Sequence, residues 1–278
     1  MSSVEYRESV IQTGDSDLFG IVSSPIDAQR ETAVIVLNSG LLHRVGPSRL
    51  YVNLCRSLAQ HGFVSARIDV SGKGDTPRRR SVEAMESLLL DFDICCQALQ
   101  QNSSVTRFIV IGLCSGADDA YWIASQRKTV SGIAMLDGYA ARTWRYYLRH
   151  YSSRLFHAAP WIRIPGRLNA RLMRLLETKK SDEDLVQMRD IRNLPTVKVA
   201  RSHFASMSTH LESCLFVFTS ASHSYYNYEG QLQEKFPTLA PSRGVQEEYI
   251  PAARHTYPLA EHRKWVVDTI CKWSSSFK

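Results

Sequence analysis

One stretch constrains the fold more than any other part of the chain: residues 109–117, which read IVIGLCSGA. The β-branched run predicts a buried strand, the two glycines predict a sharp turn, and the residues from Ala117 onward predict a helix. A strand that enters a helix through such a Gly-x-Cys-x-Gly turn holds its central side chain clear of the sheet. This frame puts Cys114, and not Ser115, in the exposed central position. The alternative is a plain glycine-rich turn.

Short apolar runs and helical patterns alternate along the rest of the chain. Strands are predicted at 4–12, 18–23, 33–37, 64–69, 107–112, 132–136, 214–219 and 246–250. Helices are predicted at 47–60, at 117–125, after a capping Ser81, and from Pro258 onward. This alternation is typical of an α/β fold whose mostly parallel, eight-stranded sheet is flanked by helices on both faces.

One connection is too long for a simple crossover between strands. From Gly138 to His210 the chain is helical, basic and aromatic in character, is broken by prolines, and contains no clear strand. We therefore predict a helical cap at 138–210, inserted after the sixth strand over the carboxyl edge of the sheet, where α/β sheets bind ligands. The core is then formed by 1–137 and 211–278, within the size of one domain.

The net charge of +7 is unevenly distributed. Residues 140–180 contain ten lysines and arginines and one acid, so this segment carries +9 and the rest of the chain carries −2. A basic patch confined to one insertion indicates a docking surface for an acidic partner, and an ordinary solvated helical face is the alternative. Because no nucleic-acid-binding motif accompanies the charge, we expect no nucleic-acid partner.

The cysteines and the N-terminus exclude several classes of protein. The six cysteines have no metal-ligand spacing, and five of them lie in apolar patterns that predict buried, reduced thiols. The N-terminal residues are polar, which argues against a secretory signal, and no apolar run approaches the roughly 20 residues of a membrane span. We expect a cytoplasmic protein without a metal, a bound cofactor or a membrane contact.

A nucleophile, a base and an acid can each be assigned to a residue. The start of a helix lowers the pKa of a thiol, so Cys114 is the predicted nucleophile. His255, in the loop between the last strand and the last helix, is predicted to take its proton or to pair with its thiolate. Asp137 at the end of the sixth strand is predicted to orient His255. Asp69 is its main rival, although Asp69 is better placed to hold the turn at 71–75.

Two backbone N–H groups are needed to stabilise a developing oxyanion. We assign them to Ser115 and to Leu41, which lies in the loop at 38–47. In the same loop His43 and Arg44 are predicted either to bind substrate or to brace the loop.

Aromatic residues of the predicted cap are expected to exclude water from the site and to contact the substrate. Trp144 and Tyr147 are the predicted substrate contacts among them. The full set is Trp144, Tyr146, Tyr147, Tyr151, Phe156 and Trp161.

Together these motifs resemble the α/β-hydrolase superfamily over nearly the whole chain. The runs GLLHRVGP (40–47), GLCSGA (112–117) and YNYEGQ (226–231) are also similar to bacterial members found beside polyketide and nonribosomal peptide assembly lines. The position of the acid, after the sixth strand, is similar to that in assembly-line thioesterases. A Cys-Asp-His set resembles Dieckmann cyclases and the acyltransferases that move aminoacyl groups between carriers. His223 departs from the pattern, because it stands where many superfamily members have their acid.

The resemblance implies an enzyme that takes a small acyl chain from the phosphopantetheine thioester of an acidic acyl or peptidyl carrier protein. Dieckmann-type cyclisation is the leading expectation for its release. Hydrolysis and transfer to a second carrier are the alternatives. The alternative from another functional class is a binding module, in which the hydrolase fold binds a small molecule or a partner without catalysis.

Overall fold

A single eight-stranded sheet organises the molecule. The computed structural model describes residues 5–11, 13, 16–27, 30–157, 192 and 194–278, and within 152–157 it describes the backbone alone. The strands are β1 (Tyr6–Val10), β2 (Phe19–Pro25), β3 (Thr32–Val36), β4 (Ser65–Asp69), β5 (Arg107–Leu113), β6 (Val130–Leu136), β7 (Ser213–Thr219) and β8 (Val245–Ile250).

The lateral order of the strands is β1-β2-β4-β3-β5-β6-β7-β8. β2 pairs antiparallel with β1 and with β4, and every other neighbouring pair is parallel. All eight predicted strands are present, and their ends differ from the prediction by at most two residues. The predicted α/β-hydrolase fold is confirmed.

Seven α-helices are found among the described residues. They are α1 (Leu50–Gln60), α2 (Ala84–Gln101), α3 (Ser115–Gln126), α4 (Trp144–His157), α5 (Val197–Met207), α6 (Gln231–Lys235) and α7 (Ala260–Ser274). The prediction that Ser81 caps α2 is wrong. The helix begins three residues later, and Glu83 takes the cap position without a side-chain hydrogen bond. The last helix likewise begins at Ala260, two residues after Pro258.

Both faces of the sheet are covered by helices, which explains why its central strands are apolar without alternation. In β3, Ala33 and Ile35 face a core shared with α2, α3 and α5, whereas Val34 and Val36 face a core shared with α1 and α7. All four side chains are fully buried. The cysteines follow the prediction: all six are free, five are buried, and Cys114 is only half-buried.

The segment predicted as a cap includes one helix of the core. Phe204 and Met207 of α5 are fully buried, and α5 packs against α3 on the same face of the sheet. We therefore correct the end of the predicted cap, because an apolar face that covers the sheet makes α5 a core helix. Residues 158–191 and 193, with Trp161 and most of the basic segment, lie outside the described residues, as does the side chain of Phe156. For them the cap stays a prediction.

Among the described residues, none of the helices combines the length and the apolar character needed to cross a membrane.

Candidate active site

Cys114 occupies a sharp turn between β5 and α3. Its φ of 57° and ψ of −120° lie in a region that residues with a side chain rarely adopt, at a cost of about 1–3 kcal/mol. The turn needs both neighbouring glycines. A Cβ on Gly112 would lie 2.0 Å from the carbonyl oxygen of Gly116, and a Cβ on Gly116 would lie 2.3 Å from that of Asn38. The Cys114 N–H donates to the carbonyl oxygen of Leu136 at 2.8 Å, which ties the turn to β6.

Asp137 follows β6 and lies under the loop that follows β7. Its Oδ1 accepts hydrogen bonds from the backbone N–H of Thr219 at 2.7 Å and from Ser222 Oγ at 2.5 Å. Its Oδ2 accepts from Thr219 Oγ1 at 2.7 Å and lies 2.8 Å from His255 Nδ1. The carboxylate is 1 % exposed and therefore buried. Four hydrogen bonds compensate this burial.

His255 joins the acid to the thiol. Nδ1 faces Asp137, and the interaction of the imidazole with the Cys114 thiol contributes to the raised pKa of His255. The structure thus brings the three predicted residues together, although His255 and Asp137 lie 118 positions apart in the sequence.

The hydrogen bonds set the charges of the pair formed by Cys114 and His255. The hydrogen bond to Asp137, followed by the one to Cys114, raises the pKa of His255 to about 10 against the opposing effect of burial. Burial raises the pKa of the Cys114 thiol, but the hydrogen bond with His255 and the charges of Arg192 and His255 outweigh it and lower that pKa. Both shifts favour the ionised pair, a thiolate facing an imidazolium.

Asp69, the rival acid, has a different task. Its carboxylate accepts from Asn38 Nδ2 at 2.7 Å and from the N–H of Arg44 at 2.6 Å in one loop, and from the N–H of Asp75 at 3.1 Å in another. The side chain is fully buried. Asp69 braces the loops after β3 and β4 and does not orient His255.

Arg44 supports this bracing. Its Nη1 lies 2.5 Å from Asp69 Oδ2 and 2.6 Å from Asp75 Oδ2, and its guanidinium lies 4.1 Å from the centre of the Phe19 ring. A guanidinium whose Nη1 binds two carboxylates is committed to the loop. The structure favours the bracing role of Arg44 over substrate binding.

The loop after β3 lies against the turn at Cys114. Ser115 Oγ accepts a hydrogen bond from the N–H of Gly40 at 2.8 Å, and Asn38 Nδ2 donates to the carbonyl oxygen of Leu42 at 3.0 Å. Within the part of the chain that the structure describes, the N–H of Leu41 donates no hydrogen bond, and the residue is 91 % exposed. His43 is exposed, and its Nδ1 accepts from the N–H two residues later.

α4 begins seven residues after Asp137 and packs on the loop that holds the acid. Tyr146 Oη donates to the carbonyl oxygen of Ser224 at 2.7 Å, and Asn227 Nδ2 donates to the carbonyl oxygen of Tyr146 at 3.1 Å. Trp144 and Tyr147 are 68 % and 40 % exposed on this helix. Their contact with a substrate stays a prediction.

Sequence reasoning missed four residues that complete the site. Thr219 and Ser222 hold Asp137, and a polar run directly after a buried strand is a signal that could have identified them. Arg192 and Asp118 form a buried ion pair beside the thiol, with Nε and Nη2 of the arginine 2.6 Å and 2.8 Å from the two carboxylate oxygens. No local pattern predicts this pair, because its members are 74 positions apart. Among the described residues there is no group of three or more side chains suited to binding a metal ion.

Comparison with known proteins adds a family and a set of structural neighbours. The model of the family described as serine aminopeptidase, S33 matches residues 29–260. In the comparison with curated proteins, nothing matches this sequence.

Three solved structures illustrate the shared fold. A thermostable carboxyl esterase from Bacillus coagulans has a TM-score of 0.60 at 14% identity, and 98% of each chain is covered. The Pyrococcus furiosus esterase Pf2001 has a TM-score of 0.58 at 15% identity, with 99% of this chain and 92% of the other covered. A dienelactone hydrolase from Anabaena variabilis has a TM-score of 0.56 at 13% identity, with 99% of both chains covered.

Proposed function

Because the chain belongs to the α/β-hydrolase family described as serine aminopeptidase, S33, we propose that it is an acyl-transfer enzyme with a cysteine nucleophile. The observation that carries the proposal is the series from Asp137 through His255 to Cys114, in which Asp137 lies 2.8 Å from Nδ1 of His255 and the interaction with His255 lowers the pKa of the Cys114 thiol, at a strained turn between a strand and a helix. Such a series activates a nucleophile and holds its base in one orientation.

The neighbouring hydroxyl is a poor substitute for the thiol. The family's name refers to a serine enzyme, and Ser115 directly follows Cys114. Its Oγ, however, accepts the N–H of Gly40 and lies on the side of the loop after β3. The interaction with Cys114, and not with Ser115, raises the pKa of His255. We therefore assign the nucleophile to the thiol.

A thioester is the substrate that a cysteine suits best. The Cys114 thiolate attacks the thioester carbonyl, and the N–H groups of Leu41 and Ser115 stabilise the oxyanion. When the intermediate collapses, the departing phosphopantetheine sulfur takes the proton of His255. One thioester replaces another at almost no free-energy cost, whereas a serine ester would be a less reactive resting point.

His255 is neutral after this step and can act as a base. In a Dieckmann-type release it removes a proton from an activated carbon of the acyl chain, and the resulting carbanion attacks the acyl carbonyl. The new carbon–carbon bond expels the Cys114 thiolate, and the proton on His255 restores the resting pair. Cyclisation is the proposed outcome. Attack by water gives a thioesterase, and attack by a second carrier thiol gives an acyltransferase.

Product analysis tests the proposal. The protein is incubated with an acylated carrier protein, and intact-mass spectrometry is used to find an acyl adduct, which peptide mapping should place on Cys114. A cyclised product supports the proposed reaction. The linear acid identifies a thioesterase, and an acylated second carrier identifies a shuttle. A folded protein that forms no adduct and whose Cys114 does not react with iodoacetamide at neutral pH favours the binding module.

α4 supports a carrier protein as the source of the acyl chain. The helix lies in the segment that carries +9 and contains no acidic residue. It exposes Trp144 and Leu148, 68 % and 57 % exposed, together with Arg149. Aromatic and arginine side chains are favoured at protein interfaces, and an acidic partner complements the charge.

Reversing the charge at Arg149 is expected to weaken the use of a carrier-bound substrate. Arg149→Glu should raise KM for the acylated carrier about tenfold and leave KM for an acyl-pantetheine without a carrier unchanged, since a charge at the rim of an interface mainly affects association. Lys128→Glu, an exposed residue on the turn between α3 and β6, is the matched control. Equal effects of the two reversals would contradict docking at α4.

A further inference from the structure

Arg192 lies against the backbone of two residues that the proposed function uses. Its Nη2 is 3.3 Å from the carbonyl oxygen of Cys114 and 3.4 Å from that of Asp137. Cys114 and Asp137 have φ values of 57° and 47°, in the left-handed region that residues other than glycine rarely adopt. One nitrogen therefore joins the two strained positions at which β5 and β6 end. Strain of this kind persists only where the surroundings hold it.

A buried carboxylate fixes the orientation of the guanidinium. Asp118, in the first turn of α3, accepts from Nε at 2.6 Å and from Nη2 at 2.8 Å. The side chains of Arg192 and Asp118 are 13 % and 3 % exposed. Burial raises the pKa of Asp118, and the charge of Arg192 opposes this effect. Because the guanidinium is planar and rigid, the two contacts to Asp118 direct the remaining N–H of Nη2 toward the two carbonyl oxygens.

Several ionisable groups face Cys114 from the surrounding elements. His255 approaches from the loop after β8, and the charge of the thiolate in turn acts on Tyr51 of α1. Asp118 and Arg192 lie beside the turn itself. Arg192 differs from His255 because a guanidinium keeps its positive charge at every pH at which the protein is folded.

We propose that Arg192 is a positioning residue for the acyl-transfer reaction, which holds the backbone of Cys114 and Asp137 together and supplies a fixed positive charge beside the thiol. The part of this proposal that concerns catalysis rests on the proposed acyl-transfer function. The geometry and the charge can nevertheless be tested without knowledge of the acyl chain. Arg192 comes from the long connection between β6 and β7, so the site is assembled from that connection as well as from the sheet.

The test compares variants that separate the charge of Arg192 from its shape. Arg192→Met removes both, and Arg192→Lys keeps the charge without the planar fork. The rate of Cys114 alkylation by iodoacetamide is measured from pH 5 to pH 10, and kcat is measured with the acylated carrier. Arg192→Met is expected to move the midpoint of alkylation upward by about one pH unit and to lower kcat about 10- to 100-fold. Arg192→Lys should leave the midpoint of alkylation close to the wild-type value. It should lower kcat about as much as Arg192→Met does.

Two controls keep the result interpretable. Arg127 forms a comparable two-point pair with Asp93 at 2.8 Å and 2.7 Å, at the far end of α3. Arg127→Met should affect stability without moving the alkylation midpoint or kcat. Arg192→Met leaves the carboxylate of Asp118 buried without its partner and can therefore prevent folding. If it does, the same measurements are made on the double variant Arg192→Met, Asp118→Asn. It should show the same shift.

A folded Arg192→Met or double variant with the wild-type midpoint and the wild-type kcat would overturn the proposal. The outcome is distinguishable from a failure of the proposed function. If no acyl carrier is a substrate but the midpoint moves as expected, the fixed charge beside Cys114 stands and the substrate assignment fails. If the carrier is a substrate and the midpoint does not move, the role of Arg192 fails alone.

Discussion

Replacing Cys114 by alanine is expected to lower kcat/KM for an acylated carrier protein by about 10⁴-fold or more and to abolish the acyl adduct. In the proposed mechanism the thiol forms the covalent intermediate, and without it only substrate binding and the oxyanion contacts remain. The fold should survive, because the side chain is half-buried and the strained turn depends on Gly112 and Gly116. Steady-state kinetics together with intact-mass spectrometry measure both effects.

Ser115→Ala is the matched comparison for Cys114→Ala. It removes a hydroxyl one residue away and leaves the N–H of Ser115 in place, so about a tenfold loss is expected from the freed N–H of Gly40. The opposite order of effects, with Ser115→Ala inactive and Cys114→Ala active, would reject the cysteine nucleophile and return the chain to a serine mechanism.

Replacing His255 by asparagine is expected to slow the alkylation of Cys114 at pH 7 by about 30-fold. In the wild-type protein the thiol pKa is lowered and the pKa of His255 is raised to about 10, so the two shifts widen the pH range in which thiolate and imidazolium coexist. Without His255 the raising effect of burial on the thiol pKa is opposed mainly by Arg192. An unperturbed thiol is only a few per cent ionised at pH 7, which sets the size of the effect.

The sign of the pH dependence follows from the two pKa shifts. As the pH falls through the lowered thiol pKa, the thiolate is protonated and both alkylation and acyl transfer decline. As the pH rises through about 10, His255 loses the proton that the departing thiolate needs, so acyl transfer declines while alkylation does not. For His255→Asn the alkylation curve should move to higher pH and meet the wild-type rate only above the raised thiol pKa of the variant.

Iodoacetamide kinetics followed by mass spectrometry over pH 5 to 10.5 measure these curves. His61→Asn is the control, because His61 is an exposed histidine at the end of α1 whose Nδ1 lies 2.7 Å from the carbonyl oxygen of Ser57. It should leave the curve unchanged. An alkylation rate at pH 7 that is equal in wild type and His255→Asn would show that His255 does not ionise Cys114.

The contrast between Asp137 and Asp69 marks the limit of local reasoning about this site. Both acids end or follow buried strands at the carboxyl edge of the sheet, and the sequence ranked Asp137 first without excluding Asp69. The two carboxylates differ in their partners in the structure. Asp137 contacts His255, whereas Asp69 contacts Asn38, Arg44 and Asp75. Which loops meet at an edge depends on the order of the strands, and no local pattern carries that order.

α5 marks a second limit. Its sequence places it in the long connection after β6, next to basic and aromatic segments that resemble a cap. Phe204 and Met207 are nevertheless fully buried beside α3. A single apolar face on a helix indicates that it packs on something, but it does not say whether that surface is a sheet or a cap.

The eight strands, the turn at Cys114 and the loop that carries His255 could be predicted from the periodicity of apolar residues and from glycines within a few positions. The contacts of these residues depend on how distant segments pack. Ser115 is held by Gly40, 75 positions away, and Arg192 reaches the backbone of Cys114 from 78 positions away. Such contacts arise from the packing of loops at one edge of the sheet. The cysteine at the turn therefore predicted the chemistry, and the packing around it brings His255, Asp137 and Arg192 to the same place.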